Sequence, residues 1–134
     1  MLAQEQPTTR EKQPSVCFDA CKKDQLLPTK GFKQLHRKLK QFARVEVNKE
    51  DIVLEKMLTH DLYIFGVPHE EFTESELKVI HEYVDMGGSV LFTLSEGGTA
   101  RYTHLNKYLE EHFGIATNED CVVRTVLHKY FHPK

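Results

Sequence analysis

An excess of positive charge is the first thing this 134-residue chain lacks: 18 Lys and Arg stand against 20 Asp and Glu, for a formal net charge of −2. Phosphate contacts need a clear basic excess, so a dedicated nucleic-acid binder is excluded. No apolar run approaches the roughly 20 residues that a membrane-spanning helix requires, so no membrane insertion is expected. The N-terminal residues hold no apolar h-region, and a secretory signal is not expected there. Cysteine is scarce and odd in number, with Cys17, Cys21 and Cys121. Such a set reads as reduced thiols of a cytosolic-type compartment. Cys17 and Cys21 lack the spacing of a redox pair, and all three are expected to act as small buried apolar residues.

Catalytic signatures are missing as well. An α/β hydrolase or class I amidotransferase carries a Gly-x-Ser-x-Gly or Gly-x-Cys-x-Gly elbow after a strand, and neither occurs. Ser95 follows an apolar run but is not flanked by the required glycines, and Cys17 lies inside a strand-like segment. There is no Lys-Ser/Thr of a phosphate-binding loop and no set of three spaced glycines for a dinucleotide. Eight histidines invite a search for a metal site. His128 and His132 are four apart, and His104 and His112 lie nearby in sequence. No Glu follows His128 to complete a hydrolytic zinc motif, and no Cys pair offers a structural one. The expectation is therefore no enzyme, no metal ligand and no cofactor.

What is present is a chain of alternating elements. Thr73 followed by Glu76 forms a capping box. Leu77, Ile80 and Val84, widened by Tyr83, recur at helical spacing opposite Glu76, Lys78 and Glu82. Gly87 ends that helix. Ser89 to Leu94 is a nearly continuous apolar run that suits a strand covered on both faces.

Upstream, residues 1–14 are polar and aperiodic and read as a disordered arm. Ser15 to Ala20 is a strand, followed by a polar loop from Cys21 to Lys30. Phe32, Leu35, Leu39 and Phe42 mark a helix. Ala43 to Val47 is a second strand, and Asn48 is placed to cap a short helix around Glu50 to Leu58. Asp61 to Phe65 is a third strand, leaving through the loop Gly66 to Phe72. After Gly98 a helix runs from about Tyr102 to Phe113, with Leu105, Tyr108, Leu109 and Phe113 inward and Gly114 as its stop. Cys121 to Leu127 has β character and reads as a fifth strand or a helix.

This alternation implies an α/β domain over 15–134: an open, mostly parallel sheet with helices on both faces, flavodoxin-like in its order. The chain ends on Tyr130-Phe131-His132-Pro133-Lys134 with no element completed behind it. The expectation is an N-terminal fragment of a larger domain, truncated at its C-terminus, whose open edge invites self-association.

A flavodoxin-like order puts the ligand crevice at the exits of the first and third strands. A small-ligand site for a sugar or an anionic metabolite would draw on Asp19, Lys22, Pro68, His69, Glu96, Gly97 and Gly98. Lys33, Arg37, Lys38 and Lys40, with Lys30, form a basic helix face suited to an acidic partner.

Several segments in series resemble one family. They are Asp19-Ala20-Cys21-Lys22-Lys23, Lys30-Gly31-Phe32-Lys33, Tyr83 through Leu91, Glu96-Gly97-Gly98, and Val122-Val123-Arg124 leading into Lys129-Tyr130-Phe131-His132-Pro133-Lys134. They resemble the N-terminal domain, of the gliding and intraflagellar transport type, of the intraflagellar transport protein 52 family. The resemblance implies a non-catalytic α/β scaffold, similar to amidotransferase domains without their nucleophile. It implies a subunit of the intraflagellar transport B complex, acting in cilium assembly and ciliary cargo transport. The partners so implied are other B-complex subunits. The location so implied is the cilium or flagellum, basal body and cytoplasm.

Overall fold

Four five-residue strands set the architecture of the computed structural model, which describes residues 12–96, 102–118, 120–123 and 125–126. They are β1 (Ser15–Asp19), β2 (Arg44–Asn48), β3 (Leu62–Gly66) and β4 (Ser89–Thr93). Between and after them come α1 (Lys33–Leu39), α2 (Leu54–Met57), α3 (Glu74–Asp85) and α4 (Thr103–Phe113). All three strand pairings are parallel and the order is β2-β1-β3-β4, as expected for a flavodoxin-like sheet. The switch point lies between β1, which is buried along its whole length, and β3.

Alternate residues of the central strands feed two cores. On one face Val16, Phe18 and Ile64 pack with Phe32, Leu35 and Leu39 of the α1 region. On the other, Cys17, Tyr63 and Phe65 meet Met57 of α2, Leu77, Ile80 and Tyr83 of α3, and Leu105 and Tyr108 of α4. The second core is heavily aromatic. Phe65 stacks on Phe92 at 5.0 Å and meets the edge of Phe72 at 5.2 Å.

Local chemistry accounts for the ends of α3. The Thr73 hydroxyl accepts from the Glu76 amide, and the Glu76 carboxylate accepts from the Thr73 amide. At the other end the Gly88 amide donates to Tyr83 O and the Gly87 amide to Val84 O, with Gly87 at φ +95°. This is the Schellman pairing, which glycine enters without Cβ strain.

Other expectations need correction. Asn48 does not cap a helix: α2 begins after Val53, and the Asn48 side chain bonds Asp19 and the Glu50 main chain instead. Phe42 lies beyond α1, on a turn closed by Gln41 and Phe42 amides to Lys38 and Leu39 carbonyls, and is 59% exposed. Phe113 is exposed at the last turn of α4, although Gly114 stops that helix in the left-handed region as expected. β4 is the outer strand among the described residues and is only partly covered, with Leu91 exposed. The described residues of 121–127 join no strand, and Val122, Val123 and Val126 are exposed. Cys17 is buried, but Cys21 is only half-buried and Cys121 is exposed. The arm expected over 1–14 falls largely outside the described residues.

Candidate functional site

The carboxyl ends of β1 and β3 bring several of the expected site residues together, and use them internally. Asp19, the last residue of β1, is fully buried. Its carboxylate accepts from the Cys21 amide at 3.1 Å, the Cys21 thiol at 3.1 Å, the Lys22 amide at 3.4 Å and Asn48 Nδ2 at 3.0 Å. These bonds turn the chain sharply out of the strand, as Asp side chains do by capturing amides two and three residues on.

That turn folds Lys22 back over the crevice. Its Nζ lies 2.6 Å from Glu76 Oε2, donates to Glu71 O at 3.2 Å, and sits 5.6 Å above the Phe72 ring. Burial works against the Glu76 charge, but Lys22 and the Thr73 cap hold its carboxyl below the usual range. A lysine so enclosed is not a free cation for an anionic ligand. Pro68 is fully buried. His69 is exposed, and its amide donates to Lys22 O at 2.9 Å. Glu96 is exposed beyond β4, while Gly97, Gly98 and Arg101 lie outside the described residues.

The loop 20–32 seals the same end of the sheet. The Gln25 amide donates to Val67 O at 3.1 Å and the Leu26 amide to Gly66 O at 2.8 Å. Gly66 is required there, because a Cβ would stand 2.0 Å from Leu26 O. Asp24, a residue of this loop that no sequence signal singled out, is buried, and among the described residues neither of its carboxylate oxygens has a hydrogen-bond partner. Burial first, then the neighbouring Asp19 charge, pushes its carboxyl up to about 7. Protonated, Asp24 gains a hydroxyl to offer Asp19.

A second cluster lies at the opposite end of the strands. Ser15 Oγ is 2.7 Å from His60 Nδ1, and His60 Nε2 is 3.6 Å from Glu46 Oε2. The sequence of groups is that of a serine–histidine–acid relay. Its serine is buried at the first residue of β1, and Arg44 Nη2 donates to the same oxygen at 3.4 Å. Burial holds the His60 ring below its ordinary pKa. The cluster ties β1, β2 and the turn before β3 together, and Tyr83 OH adds a bond to His60 O at 2.9 Å.

A cavity of about 540 Å³ lies beside it, lined by Cys17, Glu46, Asn48, Glu55, His60 and Tyr63 among others. Burial raises the Cys17 thiol to about 11, which makes it a poor nucleophile at neutral pH. Between α3 and α4, His81 contacts Tyr108 at 3.2 Å and its ring lies 4.4 Å from that of His112. Among the described residues no three His, Cys, Asp or Glu side chains are grouped to hold a metal. His128 and His132 lie outside the described residues.

The basic face is exposed as expected. Lys33, Arg37 and Lys38 project from α1, and Lys30 and Lys40 flank it.

Comparison with known proteins agrees with this geometry. A family model described as the IFT52 GIFT domain matches residues 15–134. The intraflagellar transport protein 52 homologs of Mus musculus and Homo sapiens are each 40% identical over 126 residues, 93% of this chain. The chain spans 29% of the length of those two relatives. The solved structure of the mmIFT52 N-terminal domain matches with a TM-score of 0.78 and 39% identity, over 89% of this chain and 52% of that one. The chain therefore belongs to the IFT52 GIFT domain family.

Proposed function

We propose that this chain is a non-catalytic scaffold and protein-interaction domain of an intraflagellar transport B complex subunit, acting in cilium assembly and ciliary cargo transport. Family membership supports the transport role. The observation that carries the non-catalytic part is the state of the switch-point crevice. In open α/β sheets this is where ligands and catalytic groups gather. Here Asp19 is spent on four internal hydrogen bonds, and Lys22 is paired with Glu76. The reading places the protein in the cilium, at the basal body and in the cytoplasm, with other B-complex subunits as its partners.

The small-ligand alternative draws less support. Among the described residues, the cavities of about 540, 360 and 350 Å³ are lined by residues other than Asp19, Lys22, Pro68, His69 and Glu96.

The test is rescue of cilium assembly in cells lacking the endogenous subunit. Full-length protein is expected to restore cilia, and protein lacking residues 15–134 to restore them poorly. A full-length protein with Glu76→Gln and Asp24→Asn is expected to rescue normally, because neither residue performs chemistry. Loss of rescue with that folded variant would count against a non-catalytic role.

A further inference from the structure

The longest stretch of one-sided charge in the chain is residues 25–45. It holds Lys30, Lys33, Arg37, Lys38, Lys40 and Arg44 and not one Asp or Glu. The rest of the chain therefore carries eight excess negative charges against these six positive ones. Among the described residues, Arg44 alone of these six has an ion pair, with Glu46 at 3.3 Å. Among the described residues, Lys30, Lys33, Arg37, Lys38 and Lys40 have no ion pair or side-chain hydrogen bond, and all are exposed.

Folding does not demand this arrangement. α1 is anchored through Leu35 and Leu39, with Phe32 before it, on the Val16–Phe18–Ile64 face of the sheet. It is the only helix on that face among the described residues, since α2, α3 and α4 pack on the other. Among the described residues, no neighbouring helix therefore brings acids to it. Lys33 opens the helix, at the positive end of its dipole, and the first turn has no acidic residue. A cation there opposes helix stability, where an Asp or Glu would support it. Phe42, 59% exposed, stands two residues beyond Lys40 and adds an aromatic anchor at the edge of the cationic field. Aromatic anchors beside charged residues are a recurrent basis for protein–protein contacts.

We propose that α1 and its flanks, from Lys30 to Phe42, form a docking surface for an acidic, Asp/Glu-rich segment of a partner protein. Charge complementarity selects the occupant. A long nucleic acid is disfavoured because the patch is one short helix on an otherwise acidic chain. An anionic membrane is disfavoured because the apolar side of α1 is already spent on the sheet, leaving no face to enter lipid.

This proposal rests on the scaffold reading and gives it a surface. The experiment is a titration of the full chain against fluorescein-labelled poly-L-glutamate of about 20 residues at low and physiological salt. Saturable binding is expected, weakening as salt rises. The triple variant Lys33→Glu, Arg37→Glu, Lys38→Glu should weaken it by at least about tenfold. Lys78→Glu with Lys107→Glu, on the opposite helices, should leave it within about twofold. The Lys33→Gln, Arg37→Gln, Lys38→Gln form replaces the triple reversal if that variant does not fold. Absence of binding at low salt, equal affinity of the triple variant, or tighter binding of duplex DNA or of phosphatidylserine vesicles would overturn the proposal. So would a result in which the peptide fails to bind and the chain instead pairs with itself through α1. If peptide binding fails while the full-length protein still retains transport subunits, this surface falls and the scaffold reading stands.

Discussion

Lys22 and Glu76 meet 2.6 Å apart across the mouth of the crevice, and the same Glu76 oxygen also accepts the Thr73 amide at 2.8 Å. One carboxylate therefore caps α3 and locks the loop after β1 onto it. The pair is largely enclosed, with 8% and 22% of the two side chains exposed. Removing one partner of an enclosed pair leaves the other charge poorly compensated.

Glu76→Gln separates these two tasks, because Gln also serves in a capping box. It should cost about 1–3 kcal/mol through loss of the ion pair alone, discounted for the partly exposed carboxylate. Urea denaturation of Glu76→Gln, Lys22→Met and the double variant measures the coupling. A double variant whose cost equals the sum of the singles would show that the pair does not act as a unit.

Asp24 makes stability depend on pH. Its folded-state carboxyl titrates near 7, above its ordinary value of 3.8. The folded form therefore holds its proton more tightly than the unfolded form does. This contribution is fully present below about pH 4 and is lost as pH rises through about 7, by a few kcal/mol at most. His60 acts in the opposite sense, since its lowered value makes folding less favourable as pH falls through that value. Asp24→Asn should flatten the loss between pH 5 and pH 8 and raise stability at pH 8. Chemical denaturation at a series of pH values checks this, and an unchanged profile in the variant would refute the assignment.

Gly66 should tolerate no side chain. An alanine Cβ there would stand 2.0 Å from Leu26 O and 3.0 Å from Leu26 C, both main-chain atoms that cannot turn aside. Gly66→Ala should destabilise by about 3 kcal/mol or more. At Gly87, where φ is +95° but space is open, alanine should cost only about 1 kcal/mol. Comparable melting temperatures for the two variants would contradict the close approach of the loop to β3.

The three thiols should separate by reactivity. Burial raises the Cys17 thiol to about 11, and burial with the Asp19 contact raises Cys21 still further. Cys121 is exposed. Native protein should therefore show one thiol reacting rapidly with a disulfide reagent, and Cys121→Ser should abolish that phase. Two fast thiols in the variant would mean that the β1 exit opens readily.

Much of the fold was legible because its signals are local. The Thr73–Glu76 box and the Gly87-Gly88 stop each involve residues within one turn, and the alternation of strands and helices implied the parallel order. What was misread depends on distant partners. Asn48 has the chemistry of a cap, but Asp19, 29 residues away, recruits its side chain. Phe42 continues the helical spacing past the point where the backbone leaves α1, and Phe113 continues it onto the last turn of α4, where it is exposed; periodicity registers neither. The location of the crevice was legible from topology. Its self-filled state was not, because the partners of Lys22 and the crowding around Asp24 come from loops whose approach is tertiary. Asp19 and Lys22 thus stand at the crevice that topology locates, with internal partners that the sequence does not display.

The central claim, that this is an interaction domain of the intraflagellar transport machinery with no chemistry of its own, is tested most directly by affinity capture. Full-length protein with and without residues 15–134 would be used to retain partners from ciliary extract, quantified by mass spectrometry at physiological salt. The account predicts retention of other B-complex subunits, with a defined subset lost when the domain is removed. Recovery of the same subunits at the same ratios without the domain, or of none with it, would contradict the account.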